Sequence, residues 1–389
     1  MLYLEIFDFS MKRLGMINKY SMIQYTRDFC DIGSFELSLP ITKENVELIK
    51  KERILWIEDE IAGIIQYIYK SKEEKKITVK GKLLSVILEW RYLYPCFRKY
   101  DYPQNIINDM VRDNCLSGSP PYYSRQISQL KICEEELENL SKIQYQKTGG
   151  QLSDAIIELA LSQNLGFYIF FNPREEKQFT FKVIQGKDRT ENNVSGNKKV
   201  VFSYSLNNIK NGEYEYNDES YKNVNIVVGE AINNEEEESD TSDRVYKVIE
   251  KESHVSGLRR KELYTDARDL QSEYTEEAKD EEGNDITIDK VMTITDYIDT
   301  LIQRGNEKLA ECVIEESYKA ELVTNNCMFV FGRDYFLGDK VTVYDEEIGV
   351  KIDAVVTSVV VTIDSSGYNY EPVFGYDTPT IFKKIKRIV

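Results

Sequence analysis

Residues 179–190 read FTFKVIQGKDRT, a short β-like run that ends in the charged turn Gly186-Lys187-Asp188-Arg189-Thr190. The arrangement recurs downstream. Val200-Val201-Phe202-Ser203 leads into Asn207-Asn208, runs at 223–229 and 257–264 follow, and the series closes on Asp266-Ala267-Arg268-Asp269-Leu270. In an extended segment Asp266 and Arg268 lie on one face, two residues apart, so each can pair across to a neighbouring strand. Asp188 beside Arg189, and Arg259-Arg260 before Glu262, offer similar pairings. Taken singly, exposed ion pairs contribute little; recurrence at successive strand ends favours a positioning role. The candidate assembly or turn-fixing residues are therefore Asp188, Arg189, Arg259, Arg260, Glu262, Asp266, Arg268 and Asp269. The pattern points to an assembled, β-rich building block rather than an enzyme.

Working outward, the first hundred residues predict antiparallel β structure. Leu2, Leu4 and Ile6 alternate with Tyr3, Glu5 and Phe7, and Phe35, Leu37 and Leu39 share a face before Pro40 stops the run. Residues 61–69 and 77–88 read as two long strands around a lysine- and glutamate-rich hairpin tip at 70–75. Residues 96–198 change character. Pro103 can start a helix carrying Ile106, Ile107, Met110 and Val111, a second helix is expected at 151–163, and a hairpin at 167–185. Strands resume from 199, interrupted by acidic loops near 231–243 and 271–290 that read as exposed and mobile. An amphipathic helix is expected near 294–314, with Thr293 and Asp296 at capping-box spacing, before a final β region. The expected class is α+β, predominantly β, with barrel or sandwich domains at 1–95 and 199–389 and an α+β insertion at 96–198.

Composition narrows the function. The 389 residues carry 50 Lys and Arg against 67 Asp and Glu, a net charge of −17. Such a chain repels free nucleic acid, whose binding rests on cationic contacts to phosphate. Cys30, Cys96, Cys115, Cys133, Cys312 and Cys327 are scattered without a CxxC pair, so buried, reduced thiols are expected rather than zinc or a disulfide framework. The N-terminus has no signal-peptide pattern, and the longest apolar run, 354–363, is too short to span a membrane. The 27 tyrosines suit half-buried sheet faces and interfaces.

Catalytic signatures are scarce. His254 is the single histidine and reads as a surface or loop residue, not a catalytic one. No GxSxG, HExxH or Walker A sequence occurs. Carboxylates suffice in number for glycosidase chemistry, but no pair stands out, and Trp56 and Trp90 read as core residues in strand-like runs. No catalytic, cofactor-binding or metal-ligating residue is assigned.

In order along nearly the whole chain, these pieces resemble the siphophage tail-hub, or baseplate hub, family. The matching residues are Arg27-Asp28-Phe29 before Gly33-Ser34-Phe35-Glu36-Leu37, residues 84–91 with Pro95, then Gly186-Lys187-Asp188-Arg189-Thr190 and Val201-Phe202-Ser203. Lys222-Asn223-Val224, Arg259-Arg260-Lys261-Glu262 and Asp266-Ala267-Arg268-Asp269 complete the series. The two acidic stretches depart from the pattern. The resemblance implies two tail-tube-like domains and a homotrimer whose six similar domains join a sixfold tail tube to a threefold tip or spike. It further implies contacts with the tail tube or distal tail protein, the tape-measure protein and receptor-binding parts. DNA would pass through the lumen without stable binding, there would be no membrane insertion, and the chain would be a virion component assembled in the host cytoplasm. The chief alternative is a tail-associated cell-wall hydrolase or carbohydrate-binding adhesion protein.

Overall fold

The computed structural model describes residues 3–94, 96–117, 125–231, 244–279, 285–323 and 328–376. The chain opens with strands β1 (Leu4–Asp8), β2 (Arg13–Ile17), β3 (Met22–Asp28) and β4 (Ser34–Pro40), then helix α1 (Lys43–Leu48). Strands β5 (Arg53–Glu58), β6 (Ile61–Ser71) and β7 (Lys76–Leu83) follow. The middle contains β8 (Phe97–Asp101), α2 (Pro103–Val111), β9 (Leu130–Ile132), β10 (Ile143–Lys147), α3 (Leu152–Ser162), β11 (Leu165–Phe170) and β12 (Phe179–Gln185). Next come β13 (Val201–Ser203), β14 (Ile209–Asn217), β15 (Val224–Ala231), β16 (Arg244–Glu250), β17 (Glu262–Asp266), β18 (Glu273–Lys279) and β19 (Asp285–Val291). Helix α4 (Ile294–Ala310) precedes β20 (Glu315–Leu322), β21 (Lys340–Asp345), β22 (Val350–Asp364) and β23 (Gly367–Gly375).

One sheet runs through both ends of the chain, in the order β14-β20-β23-β22-β3-β4-β7-β6-β5-β1-β2. Its seam is the antiparallel pairing of β3 with β22, Met22 opposite Asp364 and Asp28 opposite Ser358. The long β22 serves two sets of partners: residues 350–355 pair with β21, and residues from 356 onward pair with β23 and β3. β13 adds to β21 in parallel. The result is sandwich-like and does not close into a barrel.

Apolar residues from both halves fill one core, including Ile23, Phe35, Leu37 and Val79 with Phe202, Val341, Val359 and Phe374. A second core lies under β1, β5 and β6, where Phe7, Ile54, Trp56 and Ile64 meet α2, α3, β11 and β12. β5 therefore buries four consecutive residues, Ile54 to Ile57. Leu55 and Ile57 face the first core, Ile54 and Trp56 the second, which is why this strand lacks a polar face. A small third core joins Val227, Ala267, Leu270 and Met292 to Tyr297 and Leu301 of α4.

Several sequence expectations change. The strand expected at 77–88 ends at Leu83, and residues Leu84–Trp90 form a 3-10 helix. That turn sinks Leu84, Val86, Ile87 and Leu88 together into the second core, which an alternating strand cannot do. Trp90, at its end, is 43% exposed beside Phe9 rather than in the core. The run at 257–264 begins as a 3-10 turn, Gly257–Arg259, and becomes β only at Glu262. The acidic stretch at 271–290 is largely a two-stranded ribbon, β18 with β19, instead of a mobile loop; its tip, 280–284, lies outside the described residues. The acidic loop at 231–243 also falls outside them, apart from Ala231. Helix α4 stops at Ala310 rather than near 314, since β20 begins at Glu315. No helix among the described residues is long and apolar enough to cross a membrane.

Candidate functional site

The turn after β12 docks onto the turn before β21. Gly186 lies so close to Gly338 that a Cβ would meet the Gly338 carbonyl oxygen at 1.8 Å, so a bare backbone is required there. Asp339, buried below, gathers the turn. Its Oδ1 accepts from Lys187 N at 2.7 Å, and its Oδ2 accepts from Arg189 Nε at 2.6 Å and Phe336 N at 3.0 Å. Arg189 N also donates to Lys340 O. Asp188 points the other way: its Oδ1 accepts from the backbone and hydroxyl of Thr190, and these hydrogen bonds hold its carboxyl below the usual range.

Phe29 lies on the same junction. A Cβ on Gly166 would meet its ring at 2.3 Å and one on Gly338 at 2.2 Å. Gly338 also has φ +86°, a conformation costly for any side-chain-bearing residue. Phe29 N donates to Thr357 O and Phe29 O accepts from Phe167 N. Arg27 lies over the rings of Tyr168 and Phe331, at 5.5 and 5.8 Å. The first strands, the insertion and the last strands thus meet around one phenylalanine.

The remaining charged residues cluster around β17, the edge of a three-stranded sheet ordered β16-β15-β17. At one end Arg260 donates to Glu262 at 2.5 Å and Glu250 at 2.7 Å. At the other, Asp266 accepts from Arg268 and from Arg244, the latter at 2.5 Å, and its carboxyl is held below the usual range first by Arg268 and then by Arg244. Between the two clusters, Ile226, Val228, Tyr246, Val248 and Tyr264 line the outer face by register, with Tyr246 and Tyr264 exposed. Arg259 takes part through its carbonyl, which accepts from Asn223 Nδ2 at 2.8 Å; its guanidinium forms no ion pair among the described residues. Asp269 turns away and receives both Arg304 terminal nitrogens at 3.0 Å.

Sequence reading missed Asp339, Arg244, Arg304 and Glu307. Asp339 follows a glycine in a turn-like pair, and Arg304 and Glu307 lie three apart on α4 with no local signal that they are buried. It also missed Glu5, which is buried in β1 and paired with Arg13 at 3.0 Å and Arg174 at 2.7 Å. His254 sits exposed at φ +64°. Cys30, Cys96, Cys115 and Cys133 are free thiols; Cys115 is fully buried, which pushes its thiol up to about 11. Cys327 lies outside the described residues. Among the described residues no group of three His, Cys, Asp or Glu side chains is placed to hold a metal.

The profile of siphovirus ReqiPepy6 Gp37-like proteins matches residues 3–376, nearly the full length. The chain belongs to this family. No curated protein sequence matches it. Among solved structures it is similar to the 43 kDa tail protein of prophage MuSo2 from Shewanella oneidensis, with TM-score 0.56 and 11% identity over 96% of this chain and 98% of that one. A tail protein from Neisseria meningitidis MC58 follows at TM-score 0.54 and 12% identity, covering 97% of each chain. Prophage tail protein gp18 from Listeria monocytogenes EGD-e gives 0.52 and 10%, over 100% and 98%. At such identities the likeness is one of fold. The chain has the sandwich-like, predominantly β fold of phage tail proteins.

Proposed function

We propose that the chain is a structural hub of a siphophage tail tip, three copies forming a ring of six tube-like β domains around the DNA exit channel. The observation that carries this reading is the sheet that crosses the β3–β22 seam, because it leaves open edges among the described residues. At one end β14 has no strand partner on its outer side among the described residues, with Glu213, Tyr214, Glu215 and Tyr216 exposed. Near the other, β5 pairs with β6 only as far as Ile64, so residues 67–71 of β6 bond to β7 alone, with Tyr67 and Tyr69 exposed. The flanking hairpin carries Lys70, Lys72, Lys75 and Lys76 against Glu73 and Glu74, a net positive charge. An acidic, tyrosine-bearing edge and a basic one suit head-to-tail closure between copies. Residues 1–95 and 199–389 supply the two tube-like domains, and 96–198 the insertion.

In this reading the ring contacts the tail tube or distal tail protein on one side and the tip, spike or receptor-binding proteins on the other, and surrounds the tape-measure protein. It is a virion component assembled in the host cytoplasm. The net negative charge keeps passing DNA from adhering. Asp188, Arg189, Arg260, Glu262, Asp266, Arg268 and Asp269 fix turns within the subunit, since their partners lie in the same chain. The reading is non-enzymatic. A cavity of about 30 Å³ beside Asp28, Asp31 and Glu60 has room for about one water, and one of about 310 Å³ between α3 and α4 is lined by no carboxylate. Neither has the paired acids across a sugar-sized cleft that a glycosidase requires.

Solution mass measurement tests the ring. The wild-type chain is expected to be a trimer, and Tyr69→Asp with Tyr216→Asp a folded monomer. A wild-type monomer at every accessible concentration would sink the proposal.

A further inference from the structure

Helix α4 has two unlike faces. Toward β15 and β16 it is apolar: Tyr297 and Leu301 enter the small third core, and Gly305 lies against Val227 and Ile249. Toward the insertion it is charged, with Arg304 and Glu307 buried and Lys308 and Asp269 partly exposed at the margin. Arg304 is bonded to Asp269 and to Gln146 O at 3.3 Å. Glu307, with its side chain 1% exposed, accepts from Gln303 Nε2 at 3.1 Å and lies 3.7 Å from Arg304 Nε. Lys308 reaches Glu158 of α3 at 3.4 Å and Glu311 at 2.8 Å, and Lys147 of β10 also pairs with Glu158. Within this layer the Tyr145 hydroxyl, Gln146 Nε2 and Arg304 Nε are buried without a hydrogen-bond partner. The other ties across the gap are polar as well. Arg98 lies 4.1 Å over the Tyr274 ring, and Thr148 Oγ1 donates to Asp269 O at 3.5 Å.

We propose that this face of α4 is a pH-operated joint: the unit formed by β15–β17 and α4 seats on the insertion while Glu307 holds a proton and loosens once Glu307 is ionised. The geometry supplies the reason. Apolar packing tolerates small displacements at a gradual cost, whereas a buried carboxylate with incomplete hydrogen bonding is strongly disfavoured. The groups facing Glu307 are Arg304 and Lys308 on its own helix, Glu158 on α3, Tyr145 and Lys147 on β10, and Asp269 after β17. β15 presents only the Asn225 amide, bonded to Gly305 O, and β16 the Ile249 side chain.

Burial raises Glu307 to about 7, against the attraction of Arg304. Once the joint opens to water, the carboxyl returns to the ordinary range near 4.3. The seated state therefore binds the proton more tightly, and seating weakens as pH rises from about 4.5 through 7. Linkage makes the change about tenfold between pH 6 and pH 8.

Hydrogen exchange on the full chain tests this, with amides of α4 and β10 compared at pH 6 and pH 8 after correction for intrinsic rates. Wild type is expected to open about tenfold more at pH 8, and Glu307→Gln to open equally at both. Glu158→Gln, which removes a negative neighbour, is expected to shift the wild-type transition to lower pH, and it keeps the test open if Glu307→Gln does not fold. Protection independent of pH in wild type, a pH effect retained in Glu307→Gln, or an unmoved transition in Glu158→Gln would overturn the joint. None of these outcomes depends on whether the chain forms a ring.

Discussion

Asp339 shows how much one side chain can hold. It is 2% exposed and accepts from two backbone amides and from Arg189, itself mostly buried. Removing it leaves a buried guanidinium without its counter-charge, a loss of about 3–5 kcal/mol for such sites. Asp339→Ala is therefore expected to lower the denaturant midpoint sharply. Arg268→Ala, at a residue whose side chain is 71% exposed, is expected to leave it nearly unmoved. Equal effects in chemical denaturation would contradict this ranking. The sequence displayed Asp188 and Arg189 as a charged turn, yet the acceptor for Arg189 is 150 residues away. Nothing local could name it.

At the scale of elements, α4 was legible where its signals are local. The Thr293 hydroxyl accepts from Asp296 N at 3.1 Å, as the capping-box spacing predicts, and it also donates to the Asp296 carboxylate at 2.7 Å. Thr293→Ala is expected to cost about 1 kcal/mol, measured as a lowered denaturation midpoint; an unchanged midpoint would show that the cap contributes nothing. The charged face of α4 was not legible, because Arg304 and Glu307 look like any solvated helix pair until β10 and α3 cover them. The ribbon β18–β19 was missed for a related reason. Its many carboxylates signal solvent exposure, and the alternation between Thr, Ile and acidic residues is too weak to outweigh that signal. The 3-10 helix at Leu84–Trp90 went the other way, since an unbroken apolar run following a strand reads as more strand.

Across the whole molecule, the seam between β3 and β22 makes the two ends of the chain one folding problem. Ile23, Leu37 and Val79 share a core with Val341, Val359 and Phe374, so neither set is covered without the other. A fragment of residues 1–198 is expected to lack a cooperative unfolding transition and to aggregate through the bared edge of β3. A sharp, reversible transition from that fragment would mean that the seam is dispensable.

Local sequence carried the β-rich class, the helices of the middle region, the α4 cap and the recurring charged turns. These are properties of neighbouring residues, set by backbone preference and by periods of two and 3.6. Long-range packing set where the turns point. It placed Arg189 on Asp339, Asp269 on Arg304, Phe29 across two glycines, and Glu307 at the buried centre of a charged layer. Those pairings follow from sheet register and from the long-range seam, and a side chain's partner, burial and proton affinity exist only once distant segments are brought together.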